Sequence, residues 1–137
     1  MTAVAGELDP VGAAESAAEG VRTLNRLTLT APAAGTAGWE DVGDLYRVVG
    51  ELQLLVERLP QALRQVAWHL EQSVDSYAVD EAAPESSAST VAGAVVVLAD
   101  AGTHLRRASE SLGTAHSATA HLYTPTRVGA PASTAIG

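Results

Sequence analysis

The stretch VGDLYRVVGELQLLVERLPQALRQVAWHL, residues 42–70, decides the fold. Its apolar residues fall at Val42, Leu45, Val49, Leu52, Val56 and Leu59, a strict alternation of three and four. That spacing places one apolar stripe along an α-helix and has the heptad form by which helices pair. Pro60 interrupts the pattern, which resumes in phase at Leu63, Val66, Leu70 and, one heptad on, Tyr77. A proline lacks the N–H a helix needs and crowds the preceding turn. No Gly, Asn or Asp flanks Pro60 to reverse the chain, so one long kinked helix over residues 39–78 is favoured over two helices. Trp39 is expected to open it, with Glu40, Asp41 and Asp44 set against the positive end of the helix dipole.

Working outward, DEAAPESS at residues 80–87 reads as a break, and the loop is placed at 79–86 with Ser86 or Ser87 as the next N-cap. A second long helix is expected over 87–122. Its bulky heptad positions are Val91, Leu98, Leu105 and Leu112, followed by Thr119, and beside them runs a seam of Ala94, Ala101, Ala108 and Ala115, ending at Leu122. Folding the two helices back on each other pairs Leu70 with Ala94, Val66 with Leu98, Leu52 with Leu112 and Val49 with Ala115. Toward the N-terminus, Asp9-Pro10 is a strong helix start, the Asp capping free N–H groups and the Pro fitting the first turn. A shorter helix over 10–28 follows, with Ala14, Ala17, Ala18, Val21, Leu24 and Leu27 on one face. Residues 1–9 read as a flexible leader, 29–38 as a linker with Pro32, Gly35 and Gly38, and 123–137 as a disordered tail. The expected fold is all-α: an antiparallel hairpin or bundle of two long helices, plus the shorter N-terminal helix, within a 10–122 domain.

Composition narrows the function. The chain of 137 residues carries a net charge of −8, which opposes contact with nucleic-acid phosphates and anionic membranes. It has no Cys, and all eight basic residues are Arg. Disulfides, thiolate catalysis, Schiff-base lysines and the phosphate-loop lysine are thereby excluded. The Arg-for-Lys bias with high Ala points to a GC-rich bacterial genome. The N-terminus lacks the basic and apolar regions of a signal peptide. The strongest apolar run, Val91 to Ala99, falls well short of the roughly 20 residues that span a bilayer. A cytoplasmic location is the expectation, with secretion lacking a signal peptide as the alternative.

No constellation carries chemistry. His116 and His121 are five apart, which misses the helical metal-pair spacing, and His69 stands alone. Asp100 and His104 have suitable spacing, but Arg58 and Arg64 are expected beside them. Carboxylates Glu51, Glu57, Glu71 and Asp75 read as a solvated helix face, and Arg106-Arg107 as a surface basic spot. No catalytic residue, metal site or cofactor is expected. Gly43 and Gly50, seven apart, suggest close helix approach, with the N-terminal helix as the neighbour.

What remains is surplus apolar surface. Beside its seam the first long helix carries Val48, Leu54, Leu55, Ala62 and Trp68, and the second carries Val95, Val96 and Val97 together. The N-terminal helix is too short to cover both ends of such a hairpin. Trp39, Tyr46, Leu54, Trp68 and Val96 are the candidate partner-interface residues. The expected function is a non-enzymatic helical interaction or scaffold module that self-associates, as a homodimer, or binds a helical protein partner. A small-ligand-binding bundle or enzyme is a further alternative.

Tyr77 to Glu81 matches a Tyr-x-x-x-Asp/Glu pattern, and with the long hairpin this resembles the small helical-hairpin substrates of type VII secretion. The resemblance implies a secreted hairpin protein. The chain departs from the family in two places. Trp39 is followed by Glu40 and Asp41 instead of forming a Trp-x-Gly turn, and the Tyr pattern precedes the second helix instead of following it.

Overall fold

The computed structural model describes residues 9–31, 35–82, 85–123 and 125. The expected leader (apart from Asp9) and most of the expected tail lie outside these residues. Among the described residues the fold is all-helical, with α1 at Pro10–Leu27, α2 at Val42–Gln72 and α3 at Ser87–Thr119. The chain divides into two compact units, residues 1–41 and 42–137.

In the first unit, α1 begins as its sequence dictates. The Asp9 carboxylate accepts a hydrogen bond from the Gly12 N–H at 2.7 Å, and Pro10 occupies the first turn. At the other end the Thr28 hydroxyl donates to the Leu24 carbonyl at 2.9 Å, satisfying one of the orphan acceptors of the last turn. No residue of α1 is buried within the structure. Beyond it, Gly35 and Gly38 adopt positive φ of 85° and 76°, a backbone region costly for other residues. Trp39 lies in the bend they create, three residues ahead of α2. Its indole N–H donates to the Thr30 carbonyl at 2.8 Å, which ties off the loop. Trp39 therefore does not open the long helix; hydrogen bonding to its own loop holds it outside.

In the second unit the two long helices pack against each other. Pro60 sits inside α2 as part of one continuous helix, and it is buried. The end of α2 falls earlier than the heptad pattern implied. After Gln72 comes Ser-Val-Asp-Ser, whose β-branched and side-chain-bonding residues compete with helix geometry. The chain tightens there into a 3₁₀ turn at Val74–Ser76, leaving Tyr77 outside the helix. Ser86 caps α3, its hydroxyl accepting from the Ser89 N–H at 3.2 Å, while Glu85 accepts from the Ser89 hydroxyl at 2.7 Å. α3 stops at Thr119, whose hydroxyl donates to the His116 carbonyl at 2.8 Å. Leu122 consequently lies past the helix end instead of closing its seam.

The seam itself departs from the heptad expectation in an orderly way. The positions of Val49, Val56, Leu63 and Leu70 on α2, and of Val91, Leu98, Leu105 and Leu112 on α3, all face inward to some degree. Leu45, Leu52 and Leu59 on α2 and Ala94 and Ala101 on α3 do so as well, but three of the expected companions do not. Val66 is 50% exposed, and Pro60 and Ala67 face inward in its stead. On α3, Ala108 and Ala115 are exposed, while Gly102, Ser109 and His116 occupy the inner face. A straight α-helix drifts about 20° per heptad relative to an exact seven-residue repeat. Over helices of 31 and 33 residues that drift carries the inner face onto the next position along. The pairings of Val66 with Leu98 and Val49 with Ala115 give way for that reason. Gly50 meets α3 at His116, not α1: a Cβ placed on it would stand 2.8 Å from His116 Nε2. A Cβ on Gly113 would stand 3.0 Å from Gln53 Nε2, and one on Gly102 would stand 4.0 Å from Pro60 Cβ.

Candidate functional site

Two helices can shield each other along one line only, so little is enclosed. Among the described residues Val91, at 8% exposure, and Pro60 are the buried apolar side chains. No buried side-chain polar atom there lacks a hydrogen-bond partner, so no catalytic or ligand-binding group is advertised by an unmet need.

A concavity lies between the middle of α2 and the first half of α3. Pro60, Leu63, Ala67 and Trp68 line it from one side, and Val95, Leu98, Ala99 and Gly102 from the other. Its volume is about 340 Å³, and Arg64, Glu71 and Arg106 stand at its edge. The cause is local. Ala67, Ala99 and Gly102 offer little side-chain volume where the helices meet, and the large Trp68 side chain remains 62% exposed beside the gap. Arg106 leans toward the floor: its Nη1 would lie 3.9 Å from a Cβ on Gly102, and its Nη2 donates to the Thr103 hydroxyl at 3.3 Å.

The other end of the pair combines a ring stack with a second concavity of about 310 Å³, lined by Val42, Gly43, Tyr46, Thr119, Ala120 and Leu122. Tyr46 stacks on His116 with ring centroids 4.1 Å apart and planes 20° from parallel. The imidazole also presses on Gly50, whose missing side chain makes the room for it.

The expected interface residues are thus dispersed. Trp68 is part of the groove and Tyr46 part of the stack. Leu54 (39% exposed) and Val96 (68% exposed) contribute to neither. Trp39 belongs to the first unit and serves its loop. Val95 is the α3 valine that shares the groove with Trp68, while Val96, on the outer face of its turn, points away from it. Sequence reasoning missed His116, Gly102 and the Arg64–Arg106 edge. A glycine in the middle of a long helix was the available signal for the groove.

Asp100 and His104 form an exposed i,i+4 pair at 3.4 Å, each about two-thirds exposed, so solvent screens it. Among the described residues no cluster of three metal-ligating side chains occurs. By length and composition α3 is apolar enough to cross a membrane, though Arg106, Arg107 and Glu110 occupy its second half. The Tyr77–Glu81 segment lies in non-helical chain between α2 and α3. No family model, curated protein or solved structure matches this chain.

Proposed function

We infer that residues 42–119 are a non-enzymatic interaction module: α2 and α3 folded back antiparallel as a hairpin that offers apolar helix faces to a protein partner. The descending order of contacts supports the hairpin, with Tyr46 and Gly50 against His116, Gln53 against Gly113 and Pro60 against Gly102. One observation carries the interaction reading. A unit whose buried apolar side chains, among the described residues, are Val91 and Pro60 leaves Leu54, Val66, Trp68, Val96 and Val97 in solvent.

Burying a Val, Leu or aromatic side chain is worth about 1.5–3 kcal/mol, so covering several of them is a strong drive to associate. Exposed apolar surface on that scale marks a contact surface. The partner is protein: a net charge of −8 works against anionic lipid headgroups and nucleic acid alike. An apolar helix laid along α2 or α3, from another copy or another protein, meets the need. The cytoplasm is the compartment this reading assigns.

Photo-crosslinking in the expressing cell tests it. A benzophenone side chain at Leu54 or Val96 is expected to capture protein in discrete adducts. The same group at exposed Glu57 or Glu110 is expected to capture none. Equal labelling at all four positions, or none at Leu54 and Val96, overturns the interaction reading.

A further inference from the structure

We propose that the Trp68 groove is a self-recognition site, which a second copy of this chain occupies through a two-fold interface that places each Trp68 in the other copy's groove. The proposal rests on the interaction reading above and deepens it by naming the surface and the partner.

A two-fold interface uses one patch twice, so the patch must complement itself. This one does so in shape and in charge. Its knob, the exposed indole of Trp68, stands directly beside its hole, the gap left by Ala67, Ala99 and Gly102. Its edge carries cations, Arg64 and Arg106, and an anion, Glu71. Among the described residues none of these three has an ion-pair partner within the chain. Two copies related by a two-fold axis bring Glu71 of each toward the arginines of the other. In a chain of net charge −8, general electrostatics opposes self-association, and two arginines at the groove are where that repulsion is relieved.

The area is also in proportion. A buried Trp covers about 150–250 Å², so two reciprocal indoles supply about 300–500 Å². A stable interface needs about 1,600 Å² in total, so the flanking turns of α2 and α3 must supply the larger share. Trp and Arg are the residues most enriched at the energetic centres of such contacts.

Sedimentation velocity on the full chain, from about 1 to about 200 µM, tests the proposal, with circular dichroism confirming that each variant stays helical. The wild-type chain is expected to dimerise in this range. Trp68→Ala is expected to raise the dissociation constant about tenfold or more. The decisive arm is a charge exchange. Glu71→Arg alone, and Arg64→Glu with Arg106→Glu, are each expected to abolish the homodimer. Mixing the two variants is expected to restore a heterodimer, since each then offers the other the opposite sign. A wild-type chain that stays monomeric throughout overturns the self-recognition site while leaving the interaction reading to its crosslinks. A dimer indifferent to Trp68→Ala and to the charge exchange also overturns it, by placing the contact on another face. A monomer that cosediments with phosphatidylcholine vesicles overturns it in favour of lipid.

Discussion

The two ends of the α2–α3 pair solve the same packing problem differently. At one end Gly50 on α2 faces His116 on α3, and the imidazole fills the space the glycine leaves while stacking on Tyr46. Large meets small, and the helices close on each other at that level, with a concavity of about 310 Å³ beyond it at Tyr46 and Thr119. At the other end small meets small: Ala67 on α2 and Ala99 and Gly102 on α3 leave a groove of about 340 Å³, and Trp68 stands aside from it. The difference teaches that volume matching across a helix pair decides where it is finished and where it waits for something else. The Gly50–His116 contact is filled from within the chain, whereas the Trp68 groove leaves its space to a partner.

Deleting one aromatic ring at each end sharpens that contrast, and the larger effect belongs to the His116 end. His116→Ala loses the stack and its contact with Gly50, and is expected to cost about 1.5 kcal/mol in urea unfolding. A loss below the experimental error would show that the His116 end contributes nothing. Gly50→Ala should behave differently in two backgrounds. Alone, its new methyl meets His116 at 2.8 Å and must displace the ring, offsetting the gain in helix propensity. With His116→Ala the obstruction is gone, and a gain of about 1 kcal/mol is expected. Equal effects in both backgrounds would separate Gly50 from His116.

At the open end Gly102→Ala is expected to stabilise by slightly less, about 0.8 kcal/mol, because its nearest atoms lie at 3.9 and 4.0 Å, ordinary contact distances. Destabilisation by thermal melting would mean that the groove floor is tighter than described. The smallest effect is expected for Trp68→Ala on folding of the dilute monomer, under about 0.5 kcal/mol, since an exposed side chain contributes little to its own fold. A cost comparable with that of His116→Ala would make Trp68 structural and erase the contrast between the ends.

The helices were legible in the sequence and their finer packing was not. Asp9-Pro10 and Ser86 announced two helix starts through capping chemistry that acts within four residues. Val91, Leu98, Leu105 and Leu112 were legible because a bulky residue every seven positions stays near one face despite drift. Ala108 and Ala115 misled because a heptad template ignores that drift, and the inner face passed to Ser109 and His116. A polar ring within a Leu-rich seam carries no sequence signal of its own. Trp39 misled for a local reason: its indole bonds Thr30 and stays in the bend. The groove was illegible because it depends on which small residues end up opposite one another, and that is set by the rotation of both helices.

The central proposal, that α2 and α3 run antiparallel with Pro60 against Gly102, has a direct measurement. The chain has no cysteine, so spin labels can be placed without background. Electron–electron resonance distances are measured for Gln61→Cys with Thr103→Cys, and for Gln61→Cys with Ser117→Cys. Dilution into unlabelled protein removes signals between copies. The account predicts a short distance for the first pair. The second is predicted to be longer by up to about 20 Å, from a rise of 1.5 Å per residue along α3. A longer distance for the first pair than for the second would contradict it.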